Sequence, residues 1–213
     1  MRIRAILLDA LGTMVELEPP WEHLATGLGI EPDERLVAAV RAEMSYYRDH
    51  SHLAVDAASL AALRERCARI LSDGLGRSVD VETMMAAIRF RAYPDALPAL
   101  TRLRSLGLAL VCVSNWDCSL PEVLASCGLD GSLDGVVSSA GAKARKPDPA
   151  IFTEALRVAG CTAAEAVHVG DTAAEDIAGA QAAGVAALLL DRAGGGDIAS
   201  LAEIETRVES MQG

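Results

Sequence analysis

Five short runs dominated by valine, isoleucine, leucine and alanine, at 3–8, 108–113, 135–138, 166–169 and 185–190, each give way to a turn-like or polar cluster. Runs that stay apolar, rather than alternating, suit strands buried on both faces of a parallel sheet. Helix-length stretches at 95–106, 119–127, 149–159, 173–183 and 198–209 precede, separate and follow the last four runs. A chain alternating strand and helix in this way is expected to form an open α/β domain, here a Rossmann-like parallel sheet, with right-handed crossovers.

Residues 15–92 break the alternation. They show no strand pattern and instead offer helix-like runs near 21–29, 33–49, 57–75 and 80–91. In the second run Leu36, Val37, Val40, Met44 and Tyr47 recur at helical spacings and mark one face. Prolines at Glu18-Pro19-Pro20 and Tyr93-Pro94 bound the segment, because proline disfavours helix continuation. The expectation is an all-helical insert, a cap domain over 15–92, within a core made of 1–14 and 93–213. Five of the seven aromatic residues (Trp21, Tyr46, Tyr47, Phe90 and Tyr93) fall in or at the edge of this insert, where they are expected to fill a small helical core. A chain of 213 residues can bury both units without staples.

At 51% hydrophobic and 23% charged residues the chain is globular in composition, which excludes disordered and fibrous classes. Lysine and arginine total 19 against 30 aspartates and glutamates, and neither the insert nor the remainder is basic. That disfavours a nucleic-acid or anionic-membrane partner and leaves a small molecule as the expected one. The apolar run after Met1 is interrupted at Asp9, and Ala182–Leu190 falls short of the ~20 residues a bilayer span needs. Cysteines 67, 112, 118, 127 and 161 are odd in number and contain no C-x-x-C pair, as expected of reduced thiols in a cytoplasmic protein. The state is expected to be monomer or homodimer.

Ligands of open α/β sheets bind beyond the carboxyl ends of the strands. Four polar groups fall there: Asp9-Ala10-Leu11-Gly12-Thr13, Ser114-Asn115-Trp116-Asp117, the loop Lys143-Ala144-Arg145-Lys146-Pro147-Asp148, and Gly170-Asp171 followed by Asp176. In these motifs and their order the sequence resembles the haloacid dehalogenase-like hydrolase superfamily, in the branch whose helical cap is inserted after the first motif. The resemblance covers nearly the whole chain. It implies a Mg²⁺-dependent phosphatase-type hydrolase of small phosphorylated metabolites, with Asp9 as nucleophile forming an aspartyl-phosphate. Asp9, Asp171 and the backbone carbonyl of Leu11 are the implied Mg²⁺ ligands, and Gly12 permits the tight turn whose amides cradle phosphate. The hydroxyl of Ser114 and the backbone amide of Asn115 are implied at the transferring group, with Lys146 neutralising charge and Asp176 orienting it. Arginine fills 17 positions and lysine only 143 and 146, so a compact ammonium is selected at this loop.

One position departs from the pattern. Phosphatases of the superfamily carry a second aspartate two residues after the nucleophile as general acid and base, and here Leu11 stands there. Alkyl phosphates then become poor substrates, while acyl, enol and aryl phosphates need less protonation on leaving. The phosphonatase branch requires a cap lysine, and 15–92 contains none. Two alternatives stay open. A 2-haloacid dehalogenase would use Asp9 on carbon, with Arg41, near Tyr46 and Tyr47, binding the acid; against it, Asp171 would repel a carboxylate substrate. A non-catalytic member would bind a phosphorylated ligand without turnover. Arg41 and Trp116 are the further candidates for contact with substrate.

Overall fold

The computed structural model describes residues 2–212. In chain order it has β1 (Ala5–Leu8), β2 (Val15–Leu17), α1 (Pro20–Leu28), α2 (Glu34–His50), α3 (Ala57–Leu75), α4 (Val81–Ala87), β3 (Phe90–Ala92), α5 (Ala96–Ser105) and β4 (Ala109–Ser114). Then come α6 (Leu120–Ser126), β5 (Gly135–Ser138), α7 (Ser139–Ala142), α8 (Pro149–Ala159), β6 (Ala166–Gly170), α9 (Ala178–Ala182), β7 (Ala186–Leu189) and α10 (Ile204–Gln212).

Five strands form one parallel sheet in the order β5-β4-β1-β6-β7. The all-apolar runs are explained by its two buried faces. Side chains alternate across a strand, so Ile6 and Leu8 of β1 join one core cluster with Leu110, Cys112, Val167 and Val169. Ala5 and Leu7 join another with Val111, Val113, Ile151 and Phe152. β1 is central, and Leu8 lies in register with Cys112 on one side and Val169 on the other. The strand ends that carry Asp9, Ser114 and Asp171 are therefore adjacent.

Helices α1 to α4 bury a cluster of their own, with Leu24, Leu36, Val40, Leu63, Leu71 and Met84 at its centre. Side-chain caps fix their starts: Asp33 accepts from the Leu36 amide at 2.7 Å, and Asp56 and Ser59 form a capping box on α3. Where no strand was expected, β2 and β3 pair antiparallel, Val15 with Ala92 and Leu17 with Phe90. The chain leaves and re-enters the sheet domain side by side, and the Tyr93 amide bonds the Met14 carbonyl at 3.0 Å, so the two passing segments satisfy each other's backbone groups. That pairing ends α4 at Ala87, before the expected 91.

The helix expected at 173–183 starts instead as a π turn over Ala173–Ile177 before α9. The wider turn follows Asp176, which is 1% exposed and faces inward, its amide bonded to the Thr172 carbonyl at 2.7 Å. The run expected as helix from 198 becomes helical only at Leu201, since Ile198 bridges to Leu190. Among the described residues no helix is long and apolar enough to cross a membrane, and all five cysteines are free thiols.

Candidate active site

The rim groups converge. Asp9, one residue beyond β1, is 6% exposed, and its Oδ1 accepts from Ser114 Oγ at 2.8 Å and from Lys146 Nζ at 2.6 Å. Its Oδ2 takes no hydrogen bond among the described residues. Lys146 is 2% exposed and donates a second bond to Asp176 Oδ1 at 2.5 Å. That same oxygen lies 2.9 Å from His168 Nε2, and since a carboxylate only accepts, Nε2 carries the proton. Asp176 Oδ2 accepts from the Thr172 amide at 3.0 Å. Burial alone would push the Asp176 carboxyl up, but the His168 bond and the Lys146 ammonium outweigh it and hold it well below the usual carboxylate range. Burial likewise disfavours the Lys146 ammonium, yet Asp9 and Asp176 keep it firmly protonated.

Asp9 is less comfortable. Burial raises its carboxyl against the pull of Lys146, and Asp176 adds repulsion. Asp171 is pushed up to about 6, first by burial and then by the nearby Asp9 and Asp176. Carboxylate oxygens of Asp9, Asp171 and Asp176 all lie within 4.8 Å of one another. Three acids so close, with one ammonium among them, suit a hard divalent cation bound by oxygen. Both Asp176 oxygens are engaged, Oδ1 by Lys146 and His168 and Oδ2 by the Thr172 amide. Asp9 and Asp171 each keep one oxygen without a hydrogen bond among the described residues, which leaves these two as side-chain ligands. The Leu11 carbonyl takes no hydrogen bond among the described residues, so it is free for the same purpose. Gly12 makes the crowding possible. Its φ is +82°, and a Cβ there would lie 1.9 Å from Asp171 Oδ2. This donor set fits Mg²⁺.

Asn115 differs from expectation in its side chain. Its amide bonds both backbone groups of Lys146, at 2.8 and 3.0 Å, and donates to Glu175 at 2.8 Å, so it splints the lysine loop to the 170s turn. Trp116 is a core residue, 5% exposed and packed on Phe90 at 5.1 Å between ring centroids, though both rings also wall the cavity above Asp9. That cavity has a volume of about 420 Å³. The sheet rim supplies its polar wall, and α2, α3, α4 and β3 supply the remainder, mostly apolar: Met44, Met84, Met85, Ile88 and Phe90. Tyr47 Oη donates to Asp117 Oδ2 at 2.7 Å, and the Cys118 amide to the Ala54 carbonyl at 2.9 Å, tying the helices down over the rim.

Arg41 is not in this cavity. It is exposed and lines an open groove with Trp21 and Glu34. Position along the helix decides it: from α2 the cavity takes Glu43, Met44, Tyr47 and Arg48, and Arg41, nearly two turns before Arg48, falls short of it. The residues that sequence reasoning missed are Glu43, Arg48 and Arg64 on the helices, His168 beneath Asp176, and Glu175. Of these only His168 left a signal, as the one polar residue inside an apolar strand.

The sequence matches the haloacid dehalogenase-like hydrolase family over residues 3–184. The chain belongs to this family. Among curated members, haloacid dehalogenase-like hydrolase domain-containing protein 3 of Danio rerio is 37% identical over 106 residues, covering 50% of this chain and 44% of that protein. A phosphoserine phosphatase of Thermus thermophilus is 38% identical over 105 residues, covering 49% and 42% respectively. The chain thus spans less than half the length of these family members. Among solved structures, an L-2-haloacid dehalogenase from Xanthobacter autotrophicus superposes with a TM-score of 0.76 at 21% identity, covering 98% of this chain and 99% of that one. At that identity the likeness speaks for the family fold.

Proposed function

We propose that this chain is a Mg²⁺-dependent phosphatase-type hydrolase of small phosphorylated metabolites, with residues 15–92 acting as the cap that encloses the substrate. The observation that carries the reading is Asp9: a buried carboxylate with one oxygen fixed by Ser114 and Lys146 and the other free, at the floor of a cavity of small-molecule size. Curated relatives named as phosphatases, including the Thermus phosphoserine phosphatase, support the phosphoryl chemistry.

Asp9, Asp171 and the Leu11 carbonyl would hold the Mg²⁺, which when bound cancels carboxylate charge so that a phosphate dianion can approach. The free Asp9 oxygen attacks phosphorus as the bond to the leaving oxygen breaks and its electron pair departs with the alcohol, phenol or acid. Ser114 Oγ and Lys146 Nζ, already at Asp9, are placed to donate to phosphoryl oxygens as charge builds there. Water then attacks the aspartyl-phosphate, phosphate leaves, and the carboxylate is restored. The helices over the rim limit bulk water, which strengthens these electrostatic terms. Asp171 beside Asp9 works against a 2-haloacid substrate, whose own carboxylate would add a further negative charge.

The test is turnover of p-nitrophenyl phosphate and acetyl phosphate, with expected loss in EDTA and recovery on adding Mg²⁺. Failure to hydrolyse either, or halide release from 2-chloropropionate that persists in EDTA, overturns the reading.

Leu11 gives a second expectation. Its side chain lines the cavity, is 39% exposed and cannot move a proton. Leu11→Asp should accelerate hydrolysis of alkyl phosphates by about 10²-fold or more, the scale of general acid catalysis, with a much smaller gain on p-nitrophenyl phosphate. Equal gains on both would show that leaving-group protonation is not the deficit.

A further inference from the structure

The wall that α2 and α3 contribute to the cavity carries charges which the hydrolytic chemistry does not use. Glu43 is 6% exposed and lines the cavity, and its carboxyl has no partner among the described residues except the Cys67 thiol. Burial pushes that carboxyl up. Arg64, half-buried, and Arg48, exposed, line the same cavity. Neither makes an ion pair within 4.0 Å among the described residues, with Glu43 or with any other acid.

Opposite charges on packed helices normally close on one another. A buried acid left without a cation is costly, and the cost is removed when a ligand supplies the missing partner. Here the acid and the two guanidinium groups stay apart along the wall of one cavity, and Met44, Met84, Met85 and Ile88 make neighbouring parts of that wall apolar. A simple anion would satisfy the arginines and leave Glu43 bare, and a simple amine would do the reverse.

We propose that Glu43, Arg48 and Arg64 form a subsite for a zwitterionic, amino-acid-type head group, carried on an apolar body whose other end presents phosphate to Asp9. The ammonium meets Glu43, and the carboxylate meets the arginine pair. This deepens the phosphatase reading and rests on it. Since Leu11 disfavours alkyl leaving groups, an aryl phosphate bearing such a head is the suitable probe.

The experiment compares O-phosphotyrosine with its deamino analogue, its decarboxy analogue (tyramine phosphate) and para-ethylphenyl phosphate, all phenol-leaving phosphates, in Mg²⁺ buffer. The same compounds are titrated calorimetrically into Asp9→Asn. The expected result is kcat/KM for O-phosphotyrosine about tenfold or more above each truncated analogue, as one lost buried polar contact implies, with the same order in binding. Glu43→Gln should erase the preference over the deamino analogue, and Arg64→Met should reduce that over tyramine phosphate. A flat series in both assays, or preferences unchanged in both variants, overturns the subsite while leaving the hydrolase reading intact. Graded binding with no turnover of any compound upholds the subsite and refutes the hydrolase reading.

Discussion

Asp9→Asn is expected to lower turnover of p-nitrophenyl phosphate by about 10⁴-fold or more, the scale on which loss of a covalent nucleophile registers. The amide keeps the shape of the side chain and still accepts from Ser114 and Lys146 through its carbonyl oxygen, so geometry at the rim is preserved while the attacking oxygen disappears. The fold should not suffer. Wild-type Asp9 is 6% exposed and lies with Asp171 and Asp176 in a cluster whose oxygens are within 4.8 Å of one another. Burial and like charge both oppose its ionised form, and Lys146 keeps Asp176 as a partner when Asp9 is neutral. In EDTA, thermal denaturation of Asp9→Asn should therefore show a midpoint equal to or above that of wild type. This is the exchange of stability for function expected where charges are crowded to do chemistry. Retention of full rate would remove Asp9 from the reaction. A large fall in midpoint with the rate loss would mean that Asp9 is structural.

The parts legible in the sequence share one physical property. Strands buried on both faces write unbroken apolar runs, and an Asp, a Ser-Asn pair or a Gly-Asp at the end of such a run stands out against it, so the sheet and the rim could both be read. Strands β2 and β3 could not. Each has three residues, too few to show alternation, and what pairs them is the return of the chain after the helical segment. Helical periodicity in α2 identified an apolar face, but not which stretch of the helix would meet a cavity. That stretch is set by contacts such as Tyr47 to Asp117, across 70 residues of sequence. Arg41, expected at the substrate from the family resemblance alone, accordingly lies outside the cavity that Glu43 and Arg48 line. Asp176 was legible as a charge aimed at Lys146, while its support by His168, and the π turn that brings it inward, depend on packing beneath the rim.

Lys146→Met tests the opposite side of the same charge balance, and its expected effect on the fold is the larger one. Methionine keeps an unbranched stem of similar length and removes the ammonium. Asp9 Oδ1 and Asp176 Oδ1, at 2.6 and 2.5 Å from Nζ, are then left facing each other with side chains 8% and 1% exposed. Removing one member of a buried ion group leaves uncompensated charge and typically costs about 3–5 kcal/mol. For a chain of this size that is a fall in midpoint of roughly 6–20 °C, measured by thermal denaturation in EDTA. The rate should fall by about 10²–10³-fold even well below the new midpoint, because the donor to the developing phosphoryl charge is gone. Lys146→Arg discriminates charge from shape. If charge alone mattered, arginine would restore both quantities, yet the slot admits one nitrogen bonded to both acids and the side chain is 2% exposed. A planar fork cannot place a single nitrogen there without displacing one carboxylate. Arginine should accordingly recover part of the stability and little of the rate. Full recovery of the rate would show that Lys146 serves as a diffuse counter-charge rather than as the fixed donor between Asp9 and Asp176.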